Sequence, residues 1–194
     1  MPRGPLVILS GPSGSGKSTV IRRLLADPPG PLRLSVSATT RPARPGEIEG
    51  RDYYFWTRDR FEKELAAGAF LEHAVVHGTN YYGTLNSEVE PYLARGEGVV
   101  LDIDVQGAEQ VRRSRPDHLS VFLMAPSMDE YERRLRARGT EDEANIRRRL
   151  QAARDELARA AGYQYQITND DLARAAAELR DVVAREFERT RDAG

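Results

Sequence analysis

The 194-residue sequence has no cysteine, which excludes disulfides and thiolate metal sites. Its three histidines, at positions 73, 77 and 118, are too scattered for a structural zinc. No apolar run approaches the 18 residues of a membrane span. The stretch "PLVILS" (5–10) is too short for a secretory leader and runs straight into glycine-rich chain. A net charge of −1 offers no bulk attraction to nucleic acid or an anionic membrane. These absences lead us to expect a soluble, cytoplasmic protein with no nucleic-acid, membrane or obligate protein partner. Lysine is scarce too: only Lys17 and Lys63 stand beside 27 arginines.

At 40% hydrophobic, the chain can bury a core as one domain. Leu6 to Leu9 form a short apolar run suited to a strand covered on both faces. Helical pattern follows from about Ser18 to Ala26, and "DPPGP" (27–31) stops it. Further strands are predicted at 32–37, 53–56, 70–78, from 98, at 119–125 and at 163–168. Helices are predicted at 58–68, 86–96, from about 108, at 128–139, at 141–162 and, after the strand at 163–168, over the whole remainder. "TNYYGT" (79–84) reads as a turn. Alternating strands and helices indicate an α/β fold with a parallel sheet and helices on both faces. The segment from about 35 to 85, with short aromatic strands, breaks that rhythm and suggests a small antiparallel insertion.

"GPSGSGKS" (11–18) satisfies G-x-x-x-x-G-K-[ST] between a strand and a helix. The segment comprises Gly11, Pro12, Ser13, Gly14, Ser15, Gly16, Lys17 and Ser18, with Thr19 following. Its glycines let backbone N–H groups turn inward around phosphate oxygens, beside a positive helix N-terminus. Lys17 would place a compact charge on the β and γ phosphates, and the Ser18 hydroxyl would ligate Mg²⁺. Lys17 stands out in an arginine-rich chain because a planar guanidinium cannot replace a small ammonium inside a tight loop. The motif therefore implies a bound nucleoside triphosphate.

Asp102 and Asp104, two apart at the end of a buried strand, would point to one side of extended chain. Acids there can hold Mg²⁺, directly or through water, or accept hydrogen bonds from a substrate. Arg134 and Arg138 share a helical face, with Arg149 on the next helix. Arginines on a closing lid can stabilise phosphoryl transfer. Arg41, Arg44 and Tyr53 could hold a second phosphate. A solvated strand end, a solvated arginine-rich helix and a surface loop are the other readings of these residues.

The chain resembles the guanylate kinases over essentially its whole length. The resemblance is carried by "GPSGSGKST", "SVSATTRPARPGE", "GRDYYF", "FLEHAVVHGTNYYGT", "LDIDVQG", "RLRARGT" and "ITNDD". It implies transfer of the ATP γ-phosphoryl group to GMP or dGMP in purine nucleotide metabolism, with Mg²⁺ accompanying ATP. It also implies a P-loop nucleoside monophosphate kinase fold. Its parts would be a core (1–34, 86–127, 163–194), a GMP-binding insertion (about 35–85) and a helical lid with flanking helices (about 128–162).

By the same resemblance, Arg41, Arg44, Tyr53 and Tyr82 would meet the GMP phosphate. Ser37, Glu72, Thr84 and Asp104 would meet guanine. Arg134, Arg138 and Arg149 would span the phosphates of both nucleotides, and Asn169 would lie near adenine. Thr79 reads as one residue inserted into the family's compact "G-N-Y-Y-G". Two rival readings share the core: a guanylate-kinase-like protein-binding module, and a kinase acting on a sugar phosphate. The intact glycine loop argues against the first. "RDYYF", Glu72 and "NYYGT" argue against the second.

Overall fold

Leu6, Val7, Ile8 and Leu9 divide their side chains between two cores, because successive residues of a strand face opposite sides. In the computed structural model, which describes residues 2–76, 79–137 and 142–192, β1 (Leu6–Ser10) is fully buried. Val7 and Leu9 join one core and Leu6 and Ile8 the other. β1 is central in an all-parallel sheet with β2 (Leu32–Leu34), β7 (Gly98–Asp102), β8 (His118–Met124) and β9 (Tyr165–Thr168). The strand order is β2-β7-β1-β8-β9. The first core packs β1 and β8 against α1 (Lys17–Ala26) and the long α7 (Leu172–Asp192). The second lies under α3 (Glu90–Ala94) and α4 (Val105–Ser114). This arrangement brings the loop after β1 and the end of β7 to the same carboxyl edge of the sheet, where open α/β sheets bind ligands.

The segment from 37 to 85 forms a second sheet of order β4-β3-β6-β5. It comprises β3 (Ser37–Thr39), β4 (Tyr54–Phe55), β5 (Phe70–Val76) and β6 (Asn80–Leu85). Pairing is antiparallel for β3–β6 and β5–β6 and parallel for β3–β4. Its small core centres on Trp56, on Phe61 of α2 (Arg58–Ala66) and on Phe70, whose ring stacks 4.4 Å from that of Phe61. Two further helices, α5 (Met128–Arg136) and α6 (Glu143–Leu157), pack together through Tyr131, Leu135, Ile146 and Leu150.

Several expectations are corrected. The single strand predicted at 32–37 is two, β2 and β3, in different sheets. Ser35 N–H still donates to Val100 of β7, but the next N–H, of Val36, goes to the Glu88 carboxylate. "NYYGT" is not a turn but part of β6, paired on both sides. Its glycine misleads, because Gly83 is there for space: a Cβ would come 2.7 Å from the Phe70 ring. α4 starts at Val105 rather than about 108, because the Asp104 side chain caps it, accepting from Gln106 N and Gly107 N. β7 ends at Asp102, so Asp102 and Asp104 do not share a strand face. The helix predicted at 86–96 is a 3-10 turn at Asn86–Glu88 followed by α3. Thr79, which reads as an insertion in the sequence, is described, but positions 77 and 78 lie outside the described residues, as do 138–141.

Glu88 ties the two sheets together. Its carboxylate accepts from Arg33 Nη2 at 2.8 Å and from Tyr54 Oη at 2.8 Å, besides Val36 N at 3.3 Å. A largely buried carboxylate is tolerated because its lone pairs are satisfied and its charge is paired. One side chain thus joins β2, the crossing into the second sheet, and β4.

Candidate active site

The glycine loop leaves β1 at Ser10 and enters α1 at Lys17. Gly11 has φ +144°, and a Cβ there would lie 2.0 Å from the Leu123 carbonyl oxygen. Gly16 precedes α1 with φ +96°. Both positions require glycine. The helix has no side-chain cap, so its first N–H groups remain available to an anion. Lys17 Nζ donates to the Gly11 carbonyl, bridging the mouth of the loop. Gly11 to Thr19 all line one open cleft of about 600 Å³.

Behind the loop lies a clamp that the sequence did not predict. Asn169 Nδ2 donates to the Ser15 carbonyl at 2.7 Å. Arg134 Nη1 donates to the carbonyls of Gly14 and Ser15 at 3.2 and 3.1 Å, and Nη2 to that of Asn169 at 2.8 Å. Arg134 Nε is held by Glu130 at 2.6 Å. Hydrogen bonds from Arg133 and then Arg134 keep the Glu130 carboxyl down at about 2. Arg134 and Asn169 thus grip the carbonyls of the loop. Neither lines the cleft.

Facing Lys17 is Asp102. Burial pushes its carboxyl above the ordinary range, with the Lys17 charge opposing. Asp104 also lines the cleft from its capping position. Ser18, exposed on the first turn of α1, completes a set of hard oxygen donors suited to Mg²⁺.

Across the cleft, Ser37, Thr84 and Glu72 form one row over three adjacent strands, because β3–β6 pairs Ser37 with Thr84 and β5–β6 pairs Thr84 with Glu72. Ser37 Oγ and Thr84 Oγ1 are 3.5 Å apart. Glu72 Oε1 accepts from Thr84 N at 2.8 Å and Thr84 Oγ1 at 2.7 Å. Glu72 is only 4% exposed. Burial pushes its carboxyl up to about 7 against the Thr84 hydrogen bonds, and the Asp104 charge adds to the rise. The row offers hydrogen-bond acceptors at a site that can hold a planar donor.

At the far end, Tyr53 and Tyr82 line the cleft, meeting edge-on with ring centroids 5.9 Å apart, and Arg41, which like Arg44 does not line it, donates from Nε to Tyr82 Oη at 3.1 Å. Burial, then the Asp102 charge, raises the Tyr53 phenol. Arg41 is itself buried, and both its Nη atoms donate to Glu47 at 2.7 Å. Those bonds raise the Arg41 guanidinium further and lower Glu47 to about 2. Arg44 is exposed in the same loop, its backbone N–H also on Glu47. Glu47 was missed by the sequence reading, although it stands six residues after Arg41.

The cleft's remaining wall is α6. Ala152, Asp155 and Glu156 line it from one face of the helix, at i, i+3, i+4 spacing, and Arg159 continues that spacing from just beyond the helix's C-cap. Arg149, half-buried, lies one turn N-terminal on that face. Burial raises the Glu156 carboxyl, with the Lys17 charge opposing. The sequence reading missed Asp155, Glu156 and Arg159, for which that spacing was the available signal. Arg138, expected beside Arg134, lies outside the described residues.

A glycine loop at the carboxyl edge of a parallel sheet, facing a buried row of acceptors across one cleft, defines a P-loop nucleotide-binding protein. Residues 3–186 match the family model described as guanylate kinase. A guanylate kinase of Symbiobacterium thermophilum is 50% identical, over 97% of this chain and 89% of its own length. One of Rubrobacter xylanophilus is 48% identical, over 95% and 96%. The crystal structure of guanylate kinase from Anaplasma phagocytophilum superposes with a TM-score of 0.80 at 34% identity, over 96% of this chain and 87% of that one. The chain belongs to the guanylate kinase family. Among the described residues, no helix is long and apolar enough to cross a membrane.

Proposed function

We propose that this protein transfers the γ-phosphoryl group of ATP to GMP or dGMP, and that the row Ser37–Thr84–Glu72 reads the guanine. That row carries the proposal. Guanine presents N1–H and a 2-amino group as adjacent donors, and an ionised carboxylate flanked by hydroxyls accepts both. Adenine lacks the pair and would leave buried acceptors unsatisfied. Asp104 takes part from the α4 N-terminus, with its other oxygen committed to the helix cap. Arg41, Arg44, Tyr53 and Tyr82 hold the GMP phosphate, for which Arg41 keeps one Nη2 donor, its other N–H groups being taken by Tyr82, Pro42 and Glu47.

ATP lies along the glycine loop, with Lys17 on its β and γ phosphates. A phosphate oxygen of GMP attacks the γ-phosphorus in line, the bond from that phosphorus to the β–γ bridging oxygen breaks, and ADP leaves with the electron pair. No side chain is assigned as general base, because the GMP phosphate is already ionised at neutral pH. Catalysis is alignment and charge stabilisation. Ser18 and Asp102 would hold Mg²⁺, directly or through water. When bound, Mg²⁺ supplies charge neutralisation on the β and γ oxygens. Arg138 and Arg149 act from the lid (128–162) over the core and the insertion (35–85). Arg134 and Asn169 serve ATP through the loop carbonyls they hold.

The raised Glu72 carboxyl makes the reading testable by pH. Below about 7 it is protonated in the free enzyme, and a neutral acid is the poorer acceptor for two N–H donors. As pH rises through 7 the carboxylate forms, so kcat/KM for GMP should climb about tenfold between pH 6 and 8. Glu72→Gln should leave only the shallow contribution of the substrate phosphate, whose second ionisation lies near 6. A steep profile persisting in Glu72→Gln would assign the titration elsewhere.

A further inference from the structure

Gly107 is the third residue of α4, and glycine is a poor helix former. Its use there has a visible cause. A Cβ at 107 would stand 2.2 Å from Glu72 Oε2 and 3.0 Å from Glu72 Cδ. The carboxylate has little freedom to step aside, since Oε1 holds both the N–H and the hydroxyl of Thr84 and the residue is buried. The contact belongs to a stripe along α4 at three-residue spacing. Asp104 Oδ1 accepts the Gly107 N–H at 2.8 Å. One turn further on, the Gln110 amide bonds His73 in both directions, Nε2 to the carbonyl at 2.6 Å and Oε1 from the N–H at 3.2 Å. His73 is the neighbour of Glu72 on β5.

The geometry points to Gly107 and Gln110 as positioning residues for base selection. Gln110 fixes the β5 backbone against α4, and Gly107 leaves the space in which the Glu72 carboxylate sits with Oε1 on Thr84 and Oε2 left for the base. This inference rests on the reading of Glu72 as the guanine acceptor. Alanine at 107 removes that space, so the carboxylate must turn away from the row while the glycine loop and the phosphate corner stay in place. Guanine binding suffers and phosphoryl transfer does not.

The test is a double-mutant cycle of Gly107→Ala and Glu72→Ala, with Gln110→Ala as a parallel arm. KM and kcat are measured with GMP and with inosine 5′-monophosphate, which lacks the 2-amino group, together with KM for ATP and the thermal midpoint. Gly107→Ala should raise KM for GMP about 10–100-fold, leave kcat and KM for ATP within about threefold, and shrink the preference for GMP over the inosine nucleotide. Gln110→Ala should move the same quantities about 3–10-fold, and it carries the test if Gly107→Ala does not fold. In the Glu72→Ala background both changes should lose their effect on KM for GMP. Equal effects in both backgrounds would overturn the inference, as would a KM for GMP within twofold of wild type in both single variants while Glu72→Ala raises it. If Glu72→Ala itself leaves KM for GMP unchanged, the guanine reading falls and this inference falls with it.

Discussion

Replacing Lys17 with alanine should lower kcat at least about 10³-fold, roughly 4 kcal/mol of transition-state stabilisation. The KM for GMP should stay within about threefold of wild type. Lys17 begins α1 and is the only lysine lining the cleft. Its ammonium already spans the loop to the Gly11 carbonyl, so the variant loses both a charge on the transferred phosphates and a tie across the loop. Lys17→Arg should recover little, because a planar fork cannot occupy the position of a compact ammonium without displacing the loop. The fold should survive in both, since the core of β1, β8, α1 and α7 contains no contribution from Lys17. Steady-state kinetics with both substrates, alongside circular dichroism, checks this. A Lys17→Ala enzyme within tenfold of wild-type kcat would remove the glycine loop from the chemistry.

Glu72→Ala should act on the other substrate. The charge-assisted hydrogen bonding of Glu72 Oε2 to guanine, about 3–4 kcal/mol in all, is lost, and Thr84 N and Oγ1 lose their shared acceptor. KM for GMP should rise about 10²–10³-fold. KM for ATP should remain unchanged, because the Glu72 carboxylate is tied to Thr84 in the second sheet, across the cleft from the glycine loop. Selectivity should relax as well: the ratio of kcat/KM for GMP over AMP should fall by a similar factor, since rejection of adenine depends on acceptors it cannot satisfy. Initial rates over a range of each nucleotide measure both effects. A variant with wild-type KM for GMP and undiminished discrimination would show that guanine is read elsewhere.

These two residues differ in how they could be read from the sequence. Lys17 was legible from its neighbours, because the glycine loop is contiguous and its conformational needs are written into eight consecutive residues. Glu72 was nominated only through resemblance, since its partners arrive from β3 and β6 by strand register. The α/β alternation was legible because β1, β7 and β8 are buried on both faces and read as short, mostly apolar runs, with Ser120 of β8 as a buried exception. β6 was misread because Gly83 imitates a turn while making room for Phe70. The clamp of Arg134 and Asn169 on the glycine loop joins residues more than a hundred positions apart, and nothing local announces it. Asp104 was identified as an acid facing the cleft, but its second task as the cap of α4 depends on where β7 stops. Gly107 fell just before the helix expected from about 108, so its place in the first turn of α4, and its meaning, required both the Asp104 cap and the position of Glu72.

The central claim is that one cleft holds ATP on the glycine loop and reads guanine on the opposite row. ADP production from Mg·ATP, with GMP, AMP, CMP and UMP each supplied as the sole acceptor, tests it most directly. The account predicts rapid turnover with GMP and at least about 10³-fold lower kcat/KM with the other three. Comparable turnover with AMP would contradict the assignment of the acceptor row, and a folded, ATP-binding protein that turns over none of the four would contradict the reaction itself.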